Sequence, residues 1–279
     1  MRQLGEVLRL SAGYLSEHGS PTPRLDAELL IGHALGLPRI ELYTNFDRPL
    51  DEPELAACRA LLERRGRREP VAYILGRWGF HGLDLAVDGR VLVPRPETEV
   101  LVERCLALLD AREAPRVADV GTGSGAVALA IKAARPDAAV TATDVSADAL
   151  AVARANAAAL GLEVDLAEAD LLAGVEGRFA LVASNPPYIA EAEVTGLEPE
   201  VAEYEPRVAT VAGPEGTEVL ERLAAAAPGA LEPGGWLVVE CGAGQADAVR
   251  GLLAGAGAAE TFTEADLAGI DRVVGGRWA

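Results

Sequence analysis

Apolar positions recur at helical spacing through the first quarter of the chain and then give way to short apolar runs alternating with helical stretches. The first pattern predicts helices over Gln3 to His18, Pro23 to Leu35, Ile40 to Asn45 and Glu52 to Arg65. Thr22 is placed to cap the helix that opens with Pro23, and Asp51 with Glu54 forms a capping-box pattern. Residues 1–75 therefore read as a small all-helical domain. Between Gly76 and Val93, Trp78, Phe80, Leu83, Leu85 and Val87 stand among Gly79, Gly82 and Gly89, which predicts a β-hairpin linker over 76–93. Beyond it, helices at Glu97 to Leu109, Ala126 to Ala134 and Ala147 to Leu160 separate strands at 117–120, 139–143, 163–169 and 179–183. That alternation is the mark of right-handed βαβ units, so 94–279 is expected to be an α/β domain with a doubly wound, Rossmann-like sheet. A further helix at Val219 to Ala227, a strand at Gly235 to Glu240 and two strands between Glu260 and Trp278 complete it.

Composition allows this and narrows the partners. The chain has 279 residues, half of them hydrophobic, enough for one ordinary domain and a smaller one. No apolar run approaches the roughly 18 residues that read as a membrane span, and the N-terminus lacks a basic-then-apolar signal pattern. A soluble, cytoplasmic protein with no membrane partner is expected. Cys58, Cys105 and Cys241 are scattered, odd in number and outside any C-x-x-C spacing, so they read as core thiols, with neither a disulfide framework nor a metal site. Residues 1–90 carry 12 basic and 13 acidic side chains, whereas 91–279 carry 13 and 30. So strongly acidic a larger part repels phosphate backbones, which argues against a direct nucleic-acid partner and fits a protein with a basic surface.

Two motifs carry the chemistry. In the first, Val117 to Val120 runs into Gly121-Thr122-Gly123-Ser124-Gly125 and then a helix beginning at Ala126. Glycines let backbone pass close to a ligand, and the helix N-terminus presents unpaired N–H groups. Gly121, Gly123 and Ala126 also satisfy the dinucleotide pattern G-x-G-x-x-G/A, so the turn alone leaves a nicotinamide cofactor open. Asp144 closes the next strand 23 residues after Gly121, a spacing that suits an acid taking ribose hydroxyls. Asp170 and Leu171 end the third strand, where they could meet an adenine amino group and its ring face. The second motif, Asn185-Pro186-Pro187-Tyr188, follows the apolar run Phe179 to Ala183. Its prolines donate nothing and hold the preceding residues extended, while the Asn185 side-chain oxygen and the Asn185 and Pro186 carbonyls can accept from a planar NH₂. Tyr188 adds a flat apolar face.

Together, Asp119 to Gly125, Asp144 and Asn185 to Ile189 resemble the S-adenosylmethionine-dependent amino methyltransferases. With Pro23 to Leu30, Pro70 to Gly76, Val93 to Glu99 and Asp271 to Val274, the chain is similar over nearly its whole length to the release factor glutamine methyltransferases, the HemK/PrmC family. That resemblance implies a Rossmann-like methyltransferase domain with a helical substrate-recognition domain and a closing antiparallel strand. It implies S-adenosyl-L-methionine as cofactor, and class-1 peptide chain release factors as substrate, methylated on the glutamine amide of their Gly-Gly-Gln tripeptide. Glutamine methylation of a ribosomal protein is the alternative, and a nucleic-acid amino methyltransferase the more distant one. By the same resemblance Gly121, Thr122, Gly123, Ser124, Gly125, Asp144, Asp170, Leu171 and Asn185 bind cofactor. Asn185, Pro186, Pro187 and Tyr188 hold the amide, with Asn185, Pro186 and Tyr188 catalytic, and a monomer is expected. Some members carry an aromatic residue where Leu171 stands, so the adenine contact here is expected to be aliphatic. The loop from Glu191 to Arg207, with Glu198, Glu200, Glu203 and Glu205, is expected to reach the protein substrate.

Overall fold

Five helices open the chain: α1 (Leu4–Glu17), α2 (Pro23–Leu35), α3 (Arg39–Thr44), α4 (Glu52–Gly66) and the short α5 (Val71–Leu75). A two-residue pairing of β1 (Arg2–Gln3) with β2 (Pro49–Leu50), absent from the sequence pattern, staples the start of α1. The computed structural model describes residues 2–279. Asp51 and Glu54 form the expected reciprocal capping box, with Glu54 N donating to Asp51 at 2.9 Å and Asp51 N to Glu54 at 3.1 Å. Thr22 does not cap α2. Its hydroxyl donates instead to Asp26 at 2.8 Å, because buried Asp26 also faces Arg65 and needs donors on both oxygens. Leu4, Val7, Leu8, Ile31, Leu42, Leu50 and Cys58 form the core of this unit.

By contacts the chain divides into two units. One runs up to Arg77 and includes Glu198–Tyr204; the other comprises Trp78–Leu197 and Glu205–Ala279. The hairpin is shorter than the 76–93 stretch that predicts it, with strands β3 (Arg77–Phe80) and β4 (Leu83–Ala86). After α6 (Pro96–Leu109) come β5 (Arg116–Val120), α7 (Ala126–Ala134), β6 (Ala139–Asp144), α8 (Ala147–Leu160), β7 (Asp165–Glu168) and β8 (Phe179–Ser184). Two short parallel strands, β9 (Ile189–Ala190) and β10 (Val211–Gly213), flank the four-residue α9 (Arg207–Thr210). Then follow α10 (Glu218–Ala230), β11 (Leu231–Glu240), α11 (Ala246–Gly255), β12 (Glu260–Ala265) and β13 (Asp271–Arg277).

Seven strands make one sheet in the order β12-β13-β11-β8-β5-β6-β7. β11, β8, β5, β6 and β7 are parallel, and β13 is antiparallel to both its neighbours. Side chains alternate between two buried faces, as a sheet covered on both sides requires. Val117, Leu181, Val238 and Val273 join α6 and α7 on one face. Ala118, Val182, Leu237 and Val274 join α10 and α11 on the other. From β5 the chain winds outward through β6 and β7, then returns to the opposite side of β5 as β8. The crevice where such a sheet holds its ligand therefore lies beyond the carboxyl ends of β5 and β8. Among the described residues no helix is long and apolar enough to cross a membrane.

Candidate active site

Register brings the two motifs together. Val120 on β5 is the pairing partner of Ser184 on β8, so Gly121 and Asn185 leave adjacent strands at the same level. The Ser184 hydroxyl donates to Val120 O at 2.7 Å and locks that level. Both motifs line one cavity of about 450 Å³ in the larger unit, a size ordinary for small-molecule sites. Asp144, Asp170, Leu171, Pro186 and Pro187 line it too, as does Thr98 from α6.

The glycine turn is built by hydrogen bonds at both ends. Gly121 N and Thr122 N donate to Thr143 O at 2.8 and 2.9 Å. Gly121, Gly123 and Gly125 sit at φ of +73°, +56° and +85°, backbone that glycine adopts without a Cβ clash. At Gly125 an added Cβ would meet Leu129 at 2.9 Å, whereas at Gly121 and Gly123 it would meet nothing within 4 Å. Gly125 is thus needed for packing, and the other two turn their backbone toward open space where a ligand can lie. The Asp144 carboxylate accepts from Gly123 N and Ser146 N, each at 2.9 Å. Each oxygen keeps a lone pair for a hydroxyl, so the acid that suits ribose also shapes the turn. Beneath it Asp119 accepts from the Thr122 hydroxyl at 2.6 Å and Ala128 N at 3.0 Å. Burial still pushes its carboxyl up to about 6.

The remaining predicted residues divide. Leu171 has φ +57° and its carbonyl accepts from the Thr143 hydroxyl at 2.7 Å, which holds its side chain at the cavity wall. Asp170 turns its carboxylate to Arg222 at 2.7 Å, both half exposed; exposed pairs of this kind hold by about 1 kcal/mol or less. Tyr188 is not among the residues lining the cavity. Its ring packs on the core beside α10 and α11, its hydroxyl lies 3.5 Å from Glu240, and burial pushes its phenol up to about 12. Three of the named glutamates of the 191–207 loop, Glu198, Glu200 and Glu205, are engaged within the protein. Glu200 meets Arg65 and Arg68, and Glu198 meets Arg68, in the helical unit. Glu205 accepts from Arg95 at 2.6 Å on both oxygens.

Four residues of this neighbourhood are missed by the sequence reading as site residues: Thr98, Asn156, Glu240 and Gln245. Asn156 reaches from α8 to Ser124 O at 2.8 Å and exchanges bonds with the Ala86 backbone. Gln245 donates to Tyr188 O at 2.9 Å and accepts from Gly242 N at 2.8 Å. Thr98 accepts from Asn185 Nδ2 at 3.0 Å and donates to Glu240 Oε2 at 2.7 Å. The available signal was a lone carboxylate closing the apolar run Trp236 to Val239. All three cysteines are free and buried, and burial raises each thiol above its ordinary range, so none is a reactive thiolate.

A seven-stranded sheet with this order and antiparallel β13, carrying a glycine turn and an Asn-Pro-Pro-Tyr segment at its switch point, defines a Rossmann-like methyltransferase. Residues 6–76 match the family described as the PrmC N-terminal domain, and residues 97–199 the methyltransferase small domain. The chain is 48% identical over 273 residues to a release factor glutamine methyltransferase of Geobacter sulfurreducens, covering 98% of this chain and 95% of the relative. It is 45% identical over 279 residues to one of Chlorobaculum tepidum, covering 96% and 94%. The solved hMettl16 catalytic domain in complex with MAT2A 3'UTR hairpin 1 shares the fold, with a TM-score of 0.60 at 14% identity over 96% of this chain and 91% of that one. The protein belongs to the release factor glutamine methyltransferase family.

Proposed function

We propose that this protein transfers a methyl group from S-adenosyl-L-methionine to the glutamine side-chain amide in the Gly-Gly-Gln tripeptide of class-1 peptide chain release factors. The carrying observation is the β5–β8 register, which sets a glycine turn and an array of acceptors side by side on one cavity. The residues present fit the cofactor: glycines whose Cβ positions face open space, and a carboxylate with free lone pairs. Gly121 to Gly125 hold its methionine end, Asp144 its ribose, and the backbone of Asp170 with the Leu171 side chain its adenine. When bound, S-adenosylmethionine supplies a methyl group on a positively charged sulfur.

An amide nitrogen is a poor nucleophile because its lone pair is delocalised. Asn185 Oδ1 and the Pro186 carbonyl accept from the substrate NH₂, align it and stabilise the positive charge that builds as nitrogen pyramidalises. No general base is needed, since the proton leaves to water after transfer. Glutamate in place of glutamine offers no N–H donor and leaves these acceptors unpaired, so the same array excludes it. With its phenol at Glu240, Tyr188 supports this array from behind. We assign residues 1–75 to recognition of the release factor, 76–93 to a linker and 94–279 to catalysis.

Titration calorimetry separates this reading from a nicotinamide enzyme. Binding of S-adenosylmethionine and of its demethylated product, with none of nicotinamide dinucleotide, is the expected result. The reverse pattern contradicts the assignment.

A further inference from the structure

An asparagine amide has two ends of similar shape and opposite hydrogen-bonding sense, so an acceptor at Asn185 depends on whatever prevents the group from turning over. We propose that Thr98 and Glu240 are positioning residues that hold Asn185 with Oδ1 toward the methyl-accepting amide, and so set the polarity the substrate must match. This rests on the amide-methylation reading above.

An ionised carboxylate can only accept, so the Thr98 hydroxyl, 2.7 Å from Glu240 Oε2, donates to it. With its single proton engaged, Thr98 Oγ1 meets Asn185 at 3.0 Å as an acceptor. Only the NH₂ end of Asn185 can satisfy it. Oδ1 is then the end left for a donor in the cavity that Asn185 lines. Thr98 is 3% exposed and Glu240 1%, so bulk water does not compete for these bonds and a partner lost here is not replaced.

A proton on Glu240 reverses the chain. Its O–H then donates to Thr98, whose own hydroxyl proton is released toward Asn185, and the amide satisfies it by turning Oδ1 inward and NH₂ outward. The groups facing Glu240 are Thr98 and Glu97 on α6, Tyr188 after β8, Arg272 on β13 and Cys241 next along the chain. Burial outweighs the bonds from Thr98 and Tyr188 and the charge of Arg272, and pushes the carboxyl up to about 7. The acceptor arrangement is therefore complete above that pH and is lost as pH falls through it.

Full-length protein, S-adenosylmethionine and a release factor with an unmethylated Gly-Gly-Gln glutamine make the test. Thr98→Val is expected to lower kcat at pH 8 by at least about tenfold, with KM and cofactor Kd changed by less than about threefold, since the contact acts only on the reacting amide. Thr98→Ser keeps the hydroxyl and should recover kcat to within about threefold of wild type. Wild-type kcat should fall as pH drops through about 7, and Glu240→Gln, which accepts from Thr98 without titrating, should lose that acid limb. Wild-type kcat in Thr98→Val, or equal impairment of the serine and valine variants, overturns the proposal. If Thr98→Val does not fold, an unchanged acid limb in Glu240→Gln does so. Should wild type methylate no release factor, the substrate reading fails separately. The relay is then read from hydrogen exchange of the Asn185 side-chain NH₂ in ¹⁵N-labelled protein. Exchange that is slow in wild type and Thr98→Ser but fast in Thr98→Val supports it, and equal exchange in all three overturns it.

Discussion

Replacing Asn185 with alanine is expected to lower kcat by about 10²–10³-fold, the loss found when one preorganised partner of a developing charge is removed, while the protein stays folded and still binds S-adenosylmethionine. The variant deletes the one side chain that offers an acceptor to the substrate NH₂ from the end of β8. Folding is spared because Asn185 is only partly buried, and losing its side-chain bond to Thr98 leaves behind a hydroxyl that still donates to Glu240. The effect belongs in kcat more than in KM, because the acceptor gains most when nitrogen becomes positive. Steady-state kinetics with a thermal melt checks this. Turnover within a few-fold of wild type removes Asn185 from the role given to it.

The second large effect falls on the cofactor. Asp144→Ala should weaken S-adenosylmethionine binding by about 10²-fold or more, since charge-assisted hydrogen bonds of roughly 1.5–3 kcal/mol are lost. The carboxylate is placed to do two things at once: it holds Gly123 N and Ser146 N at 2.9 Å, and it lines the cavity, where its spare lone pairs are proposed to take the ribose. Asp144→Asn keeps shape but can accept at one end only, so it should fall between the two. Calorimetric titration of the three proteins gives the order. An unchanged Kd in Asp144→Ala would place the ribose elsewhere.

Much of the fold was legible because its signals are local. The run Val117 to Ile131 contains strand, glycine turn and helix within one stretch, and each part needs only its own residues: a short, mostly apolar buried run, positive φ and a buried apolar helix face. The capping box at Asp51 is equally local. What escaped depends on partners distant in sequence. α11 was not predicted: its stretch is rich in alanine and glycine, and it is a helix because Val249 and Leu253 pack into the core against β13. Glu198–Tyr204 groups with the helical unit because Arg65 and Arg68, more than a hundred residues earlier, hold Glu200. No periodicity reports such pairing.

The site divides in the same way. Convergence of the glycine turn and Asn185 followed from topology, since strands that reverse their winding must bring their carboxyl ends to one crevice. The rotamers around them did not follow. Asp170 faces Arg222, and Tyr188 faces Glu240, because each polar end took the nearest partner that the packed elements offered. Thr98 and Glu240 are 142 residues apart; only the sheet order, with α6 laid across β8 and β11, makes them neighbours.

The central claim is that the acceptors at Asn185 and Pro186 aim one carboxamide at a methyl donor. The most direct measurement is peptide mass spectrometry after incubating the protein and S-adenosylmethionine with a panel of release factors and ribosomal proteins. A single added methyl on the glutamine of Gly-Gly-Gln, absent when that glutamine is changed to glutamate, is the predicted result. Methyl transfer to another residue type, or to the glutamate form, would contradict the account.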